Sequence, residues 1–94
     1  MEHQLRNYRV KPGQMKDFLE VFDRVVAARE AHGFTVDGVW YSEDDGLFTW
    51  VVSHEGPFDE AVDRYYESEE RKAISPSPTS FLEDVQTRMV ERHR

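Results

Sequence analysis

Trp50, His54, Tyr65, Tyr66, Arg71, Arg6 and Tyr8 are the side chains in this sequence whose types and spacing suit chemistry on a small molecule. Trp50 and His54 have the same parity in the run LFTWVVSH and therefore face the same way on a strand. Histidine ordinarily titrates near neutrality, so His54 in a cleft would relay a proton or act as general base to an acidic phenol. The indole and phenol rings would hold a flat substrate. The plainer reading makes His54 a strand-end residue satisfied by a backbone carbonyl, with Trp50 simply part of the core. Arg6 and Tyr8 share the parity of Val10 and border the same cleft if that face meets the first helix. An arginine there would bind a carboxylate or enolate, although an ion pair with one of the 19 acidic residues is its commoner fate.

The stretch RYYESEERKAISPSP, residues 64–78, places Tyr65 and Tyr66 ahead of Ser68, Arg71 and two prolines. Ser68 is an N-cap candidate, Glu69 and Glu70 suit a first helical turn, and Pro76 cannot continue a helix. The segment is expected to be a bent helix and a rigid return, with the tyrosine hydroxyls and Arg71 at a cleft mouth.

Other chemistries lack their residues. Cysteine is absent, which removes disulfides, thiolate metal sites and thiol nucleophiles. His3, His32, His54 and His93 lie far apart, without HxH or HxxxH spacing, so no metal site is expected. No phosphate-binding glycine loop or Gly-x-Ser-x-Gly elbow occurs, and no cofactor is expected. The net charge of −7 opposes nucleic acid and anionic lipid alike. No run approaches the ~18 apolar residues of a membrane span, and the N-terminus has no signal-peptide stretch, so a cytoplasmic protein is expected.

A chain of 94 residues is read as one domain, residues 1–94. Such a chain buries only roughly 60 to 65% of its unfolded surface, which makes association plausible. LRNYRV (5–10) alternates as a strand and ends at Lys11-Pro12-Gly13. Met15, Phe18, Leu19, Phe22, Val25 and Val26 then recur at helical spacing from Gln14 to His32, and Gly33 closes that helix. FTVDGVWYS (34–42) and LFTWVVSH (47–54) flank the turn Glu43-Asp44-Asp45-Gly46 as a hairpin. After Gly56-Pro57, the residues Phe58, Ala61, Val62 and Tyr65 make a second helical stripe, and residues 85–94 read as a last strand.

The order βαββαβ predicts an α+β, ferredoxin-like fold: a four-stranded antiparallel sheet with two helices on one face. Phe48, Trp50 and Val52 face one way and Leu47 and Val51 the other, so both faces of this strand want burial. A second copy of the chain, packed on the open sheet face, is therefore the expected partner. The pattern alone does not assign Trp40 and Tyr41 to a face.

LRNYRVKPGQMKDFLEVF, GVWYS, FTWVVSHEG and YYESEERKAISPSP together resemble a small NIPSNAP-like protein of the dimeric α+β barrel superfamily. The resemblance covers nearly the whole chain. It implies a homodimer with a cleft between sheet and helices that takes a small apolar or aromatic molecule. The alternative it implies is a cofactor-free enzyme, of monooxygenase or cyclase type, acting on an aromatic or polyketide-like substrate. Such monooxygenases use an Asn and a Trp on this strand and a His on the second helix. Here the strand carries Trp50 and His54, and the helix offers Tyr65 and Tyr66, so that proton-transfer set is not reproduced.

Overall fold

Every break in the apolar pattern becomes a chain reversal in the computed structural model, which describes all of residues 1–94. Strand β1 (Glu2–Val10) leads into helix α1 (Met15–Ala31), and β2 (Thr35–Ser42) pairs with β3 (Leu47–His54) as a hairpin. Helix α2 (Phe58–Glu67), the single-turn helix α3 (Glu69–Lys72) and a 3-10 turn (Pro78–Phe81) precede the last strand, β4 (Leu82–Val90). The four strands form one antiparallel sheet in the order β2-β3-β1-β4. This is the expected ferredoxin-like arrangement, with β3 and β1 in the centre. No helix is long and apolar enough to cross a membrane.

Glycine makes the reversals where the backbone turns left-handed. Gly33 closes α1 with φ +83° and Gly46 closes the hairpin turn with φ +68°. The Glu2 carboxylate accepts a hydrogen bond at 3.0 Å from the backbone N–H of Phe58, so β1 caps the start of α2 with a negative charge. Ser68 does two jobs at the bend. Its Oγ donates to the Tyr65 carbonyl at 2.6 Å and accepts from the Arg71 N–H at 3.2 Å, joining the end of α2 to the start of α3.

The last strand differs from its predicted span of 85–94, because it begins at Leu82 and ends at Val90. The start is set at long range: Val10 pairs with Leu82, and the Lys11 N–H bonds the Phe81 carbonyl at 2.9 Å. Glu83 and Asp84 look like loop residues in sequence, but an edge strand tolerates them at its solvent side. The first strand also starts earlier than expected, at Glu2, where β3 and β4 supply partners for polar residues.

Helix α1 lays Phe18, Phe22 and Val25 on the sheet face formed by Phe48, Trp50, Val52 and Tyr8. Phe22 meets Phe48 and Trp50 edge-on, at centroid separations of 4.6 and 4.9 Å, and Tyr8 stacks on Phe48 at 5.7 Å. Truncating a buried aromatic such as Trp50 to alanine costs about 3 to 5 kcal/mol, a large share of the stability of a small domain. Pairing assigns the residues that alternation left open: Trp40 lies opposite Thr49 on the helix-free face, and Tyr41 lies opposite Phe48 on the helix side, at the sheet edge. An extra residue between Val36 and Gly38 shifts the register there. The bare Gly38 then leaves room for the Trp40 ring, which a Cβ would overlap.

Candidate functional site

Between the sheet and helices α1 and α2 lies a cavity of about 70 Å³, walled by residues that include Arg6, Tyr8, Trp50, Tyr65, Tyr66 and Arg71. All but one of the residues expected at a site therefore meet at one place. A larger hollow of about 340 Å³ opens by the β2–β3 turn, but charged side chains of both signs, Arg9, Lys16 and Glu43 to Asp45, line it.

Strand register places the sheet side of the cavity. Arg6 lies opposite Trp50 and Tyr8 opposite Phe48, so β1 and β3 present all four toward the helices. Arg6 donates through Nε to the Tyr8 hydroxyl at 2.7 Å, through Nη1 to the Gln4 side-chain carbonyl at 2.9 Å, and through Nη2 to the Tyr66 hydroxyl at 3.5 Å. The expected ion pair with an acidic residue is not formed. No Asp or Glu carboxylate lies within 4.0 Å of any arginine or lysine side-chain nitrogen, and the one close acid–base contact joins His32 to Glu70. Arg6 sits among neutral oxygens because β1 carries it inward, while the acidic residues occupy helices, turns, the start of β1 and the edge strands β2 and β4. Burial opposes its charge, but Tyr8 and Tyr66 outweigh that and raise its pKa above the ordinary arginine value.

Helix α2 supplies Tyr65, fully buried, while Tyr66 is 41% exposed at the mouth. Their rings meet edge-on at 5.2 Å, and the Arg71 guanidinium lies 5.4 Å from the Tyr66 ring centroid. The Tyr65 hydroxyl and the Trp50 indole N–H are buried without a hydrogen-bond partner. Burial raises the Tyr65 pKa, with Arg29 and Arg71 pulling the other way.

Arg29 was not among the expected site residues, yet it is a fully buried charged group in the cavity wall. It is 1% exposed, and its Nε and Nη1 have no partner. Its guanidinium lies 4.3 Å from the Tyr65 ring centroid, 4.8 Å from Phe34, 5.4 Å from Trp50 and 5.6 Å from Tyr66. Burial lowers its pKa; Tyr66 and Tyr65 oppose that shift and the charge of Arg6 adds to it. The sequence held a usable signal. Positions 18, 22, 25 and 29 follow the apolar stripe of α1, so an arginine at 29 points inward.

His54 is the residue that does not join the others. It faces the helices like Trp50, but it stands at the strand end beyond Val52 and does not line the cavity. Its Nδ1 accepts the Gly56 N–H at 2.9 Å, and its ring lies 4.9 Å from Phe34. A Cβ on Gly33 or Gly56 would come within 3.3 or 3.2 Å of the imidazole, so those glycines make its berth. The ring nitrogen bonds a backbone amide, where the plain reading anticipated a carbonyl.

The comparisons with known proteins agree with this architecture. No curated protein matches the sequence. An uncharacterized NIPSNAP domain protein from Burkholderia xenovorans is 15% identical, with a TM-score of 0.83 over 98% of this chain and 94% of that one. A NIPSNAP family protein with unknown function from Agrobacterium tumefaciens is 19% identical, with a TM-score of 0.81 over 96% of this chain and 86% of that one. An antibiotic biosynthesis monooxygenase structure is 14% identical, with a TM-score of 0.76 over 98% of each chain. At these identities the likenesses show the fold. The NIPSNAP family model matches residues 1–90, nearly the full length of the sequence, and the chain belongs to the NIPSNAP family.

Proposed function

We infer that the protein is a homodimer that binds a small aromatic or apolar molecule in the cleft between its sheet and helices. One observation carries the ligand reading: an aromatic-walled cavity into which buried polar groups on Arg29, Trp50 and Tyr65 project without partners. Core polar groups ordinarily find partners, and a ligand supplies them where the protein does not. The cavity is smaller than the roughly 300 Å³ of a substrate pocket, so a ligand larger than its inner end enters by displacing Tyr66. The wall holds arginine, tyrosine, tryptophan and threonine but no histidine, aspartate, glutamate or lysine, which favours binding over proton-transfer chemistry.

The dimer reading rests on the helix-free face. Leu5, Val51, Leu47 and Trp40 share it, and Leu47 and Trp40 are 41% and 59% exposed in a single chain. A second sheet packed there would bury them. Sedimentation should give a dimer, and Tm should rise with protein concentration. A concentration-independent monomer removes this half of the proposal. For the ligand, phenol titration should move the Trp50 indole N–H resonance and leave that of Trp40 in place. Movement of Trp40 alone would put binding on the other face.

A further inference from the structure

We propose that the inner end of the cleft is an anion subsite for a planar carboxylate, held by Arg29 with Arg6 beside it, while the rest of the ligand extends past Tyr66 toward Leu82 and Val85. This deepens the reading of the cleft as a ligand site and depends on it.

A guanidinium cannot shed its proton in a protein, so burial leaves Arg29 charged. Its Nε and Nη1 are unpartnered, and its surroundings are the rings of Tyr65, Phe34, Trp50 and Tyr66. Aromatic faces attract a cation but accept its N–H groups only weakly. The second guanidinium, on Arg6, bonds only neutral oxygens. Thus three positive charges, with Arg71 at the mouth beside Tyr66, line one cavity in a chain of net charge −7, and no acidic side chain lines it. Two more buried donors without partners, Trp50 Nε1 and the Tyr65 hydroxyl, belong to the same wall. Donors outnumber the hydroxyl oxygens that could accept from them, and no carboxylate is present, which is the complement of an oxyanion.

Size and shape select the class. The volume of about 70 Å³ is on the order of two waters, enough for a carboxylate group but not for a large polyanion. A guanidinium fork matches a planar carboxylate with two parallel N–H···O bonds. The apolar walls toward the mouth, Leu82 and Val85 among them, suit a hydrophobic body attached to that head.

The test compares acetate, benzoate, benzamide and inorganic phosphate in chloride-free buffer. Binding is followed by NMR on the Arg29 Nε–H and Trp50 Nε1–H signals, with Trp40 as the internal control. Acetate and benzoate should move both signals, benzoate at lower concentration, and benzamide should bind at least about tenfold more weakly for want of the charge-assisted pair. Equal binding of benzoate and benzamide would overturn the anion subsite while leaving the cleft a ligand site. Binding of acetate but not benzoate would uphold the subsite and remove the aromatic-ligand reading. Phosphate binding tighter than acetate would overturn the carboxylate assignment, and no shift with any compound would overturn both readings. Arg29→Met, which keeps the apolar stem, should abolish benzoate binding without lowering Tm in the absence of ligand. A fall in that Tm with benzoate affinity intact would show Arg29 to be structural.

Discussion

Two regions on the helix-facing side of the sheet, a few residues apart along β3, are built on opposite terms. Around His54 the helix side is held by paired groups, and the one buried unpaired atom nearby, the Ser53 hydroxyl, lies on the opposite face of the sheet. The imidazole accepts the Gly56 N–H, Glu2 caps Phe58, and Gly33 and Gly56 leave the space the ring fills. Around Trp50 the Arg29 guanidinium, the indole N–H and the Tyr65 hydroxyl are buried and unpaired. The first region is closed upon itself and serves the fold. The second carries unsatisfied polarity, which natural cores rarely hold without a use, and so the histidine is the less instructive residue of the two.

The largest effect that would break this contrast belongs to the His54 end. Gly33→Ala forces a Cβ into a left-handed position, with φ +83°, and presses it to 3.3 Å from His54. It should cost roughly 1 to 2 kcal/mol or more, lowering Tm by on the order of 5 to 10 °C in a domain of this size. His54→Gln should also lower Tm, by less, and leave benzoate affinity unchanged. Thermal melts and titrations on the same two proteins check this, and a selective loss of affinity in His54→Gln would return the histidine to the site.

Sequence reading served the two regions unequally for related reasons. Strand β3 was legible to the residue because Gly46 and Gly56-Pro57 punctuate a continuous apolar run. Helix α1 was legible to within one residue at either end, since its stripe is regular and Gly33 stops it. The last strand was read three residues late at its start, because its beginning depends on pairing with Val10, a contact no local pattern announces. The cluster of Arg6, Tyr8, Trp50, Tyr65, Tyr66 and Arg71 could be collected by face, but parity could not tell that Val52 separates His54 from it. Arg29 went unassigned, although its spacing from Phe18, Phe22 and Val25 continues the inward stripe of α1.

A middle-sized effect probes the hinge that carries Tyr65 and Tyr66 to the cavity. Ser68→Ala removes the acceptor for the Arg71 N–H and the donor to the Tyr65 carbonyl, and should cost ~1 kcal/mol. Because Arg71 and Tyr66 stand on either side of that bend, benzoate affinity should weaken by a factor of a few as well. An unchanged melt would show that the cap contributes nothing. Intact affinity beside a lowered Tm would show that the bend serves the fold alone.

The smallest effect sharpens the comparison most, because it removes a single unpaired atom. Tyr65→Phe deletes a buried hydroxyl that has no hydrogen-bond partner, so it should change stability at neutral pH by no more than about 0.5 kcal/mol, in either direction. The difference should appear in alkali. Burial raises the Tyr65 pKa, with the nearby Arg29 and Arg71 charges opposing and Tyr66 adding to the rise. A phenol whose folded pKa lies above its unfolded value, near ~10, contributes stability that is complete below that pH and is lost as pH rises through the folded value. Wild-type Tm should therefore fall more steeply above about pH 10 than that of Tyr65→Phe, which has no proton to lose at this site. Parallel Tm profiles from pH 8 to about 11 would mean that the Tyr65 hydroxyl is solvated in solution, and the unpaired polarity of the cleft would then rest on Arg29 and Trp50 alone.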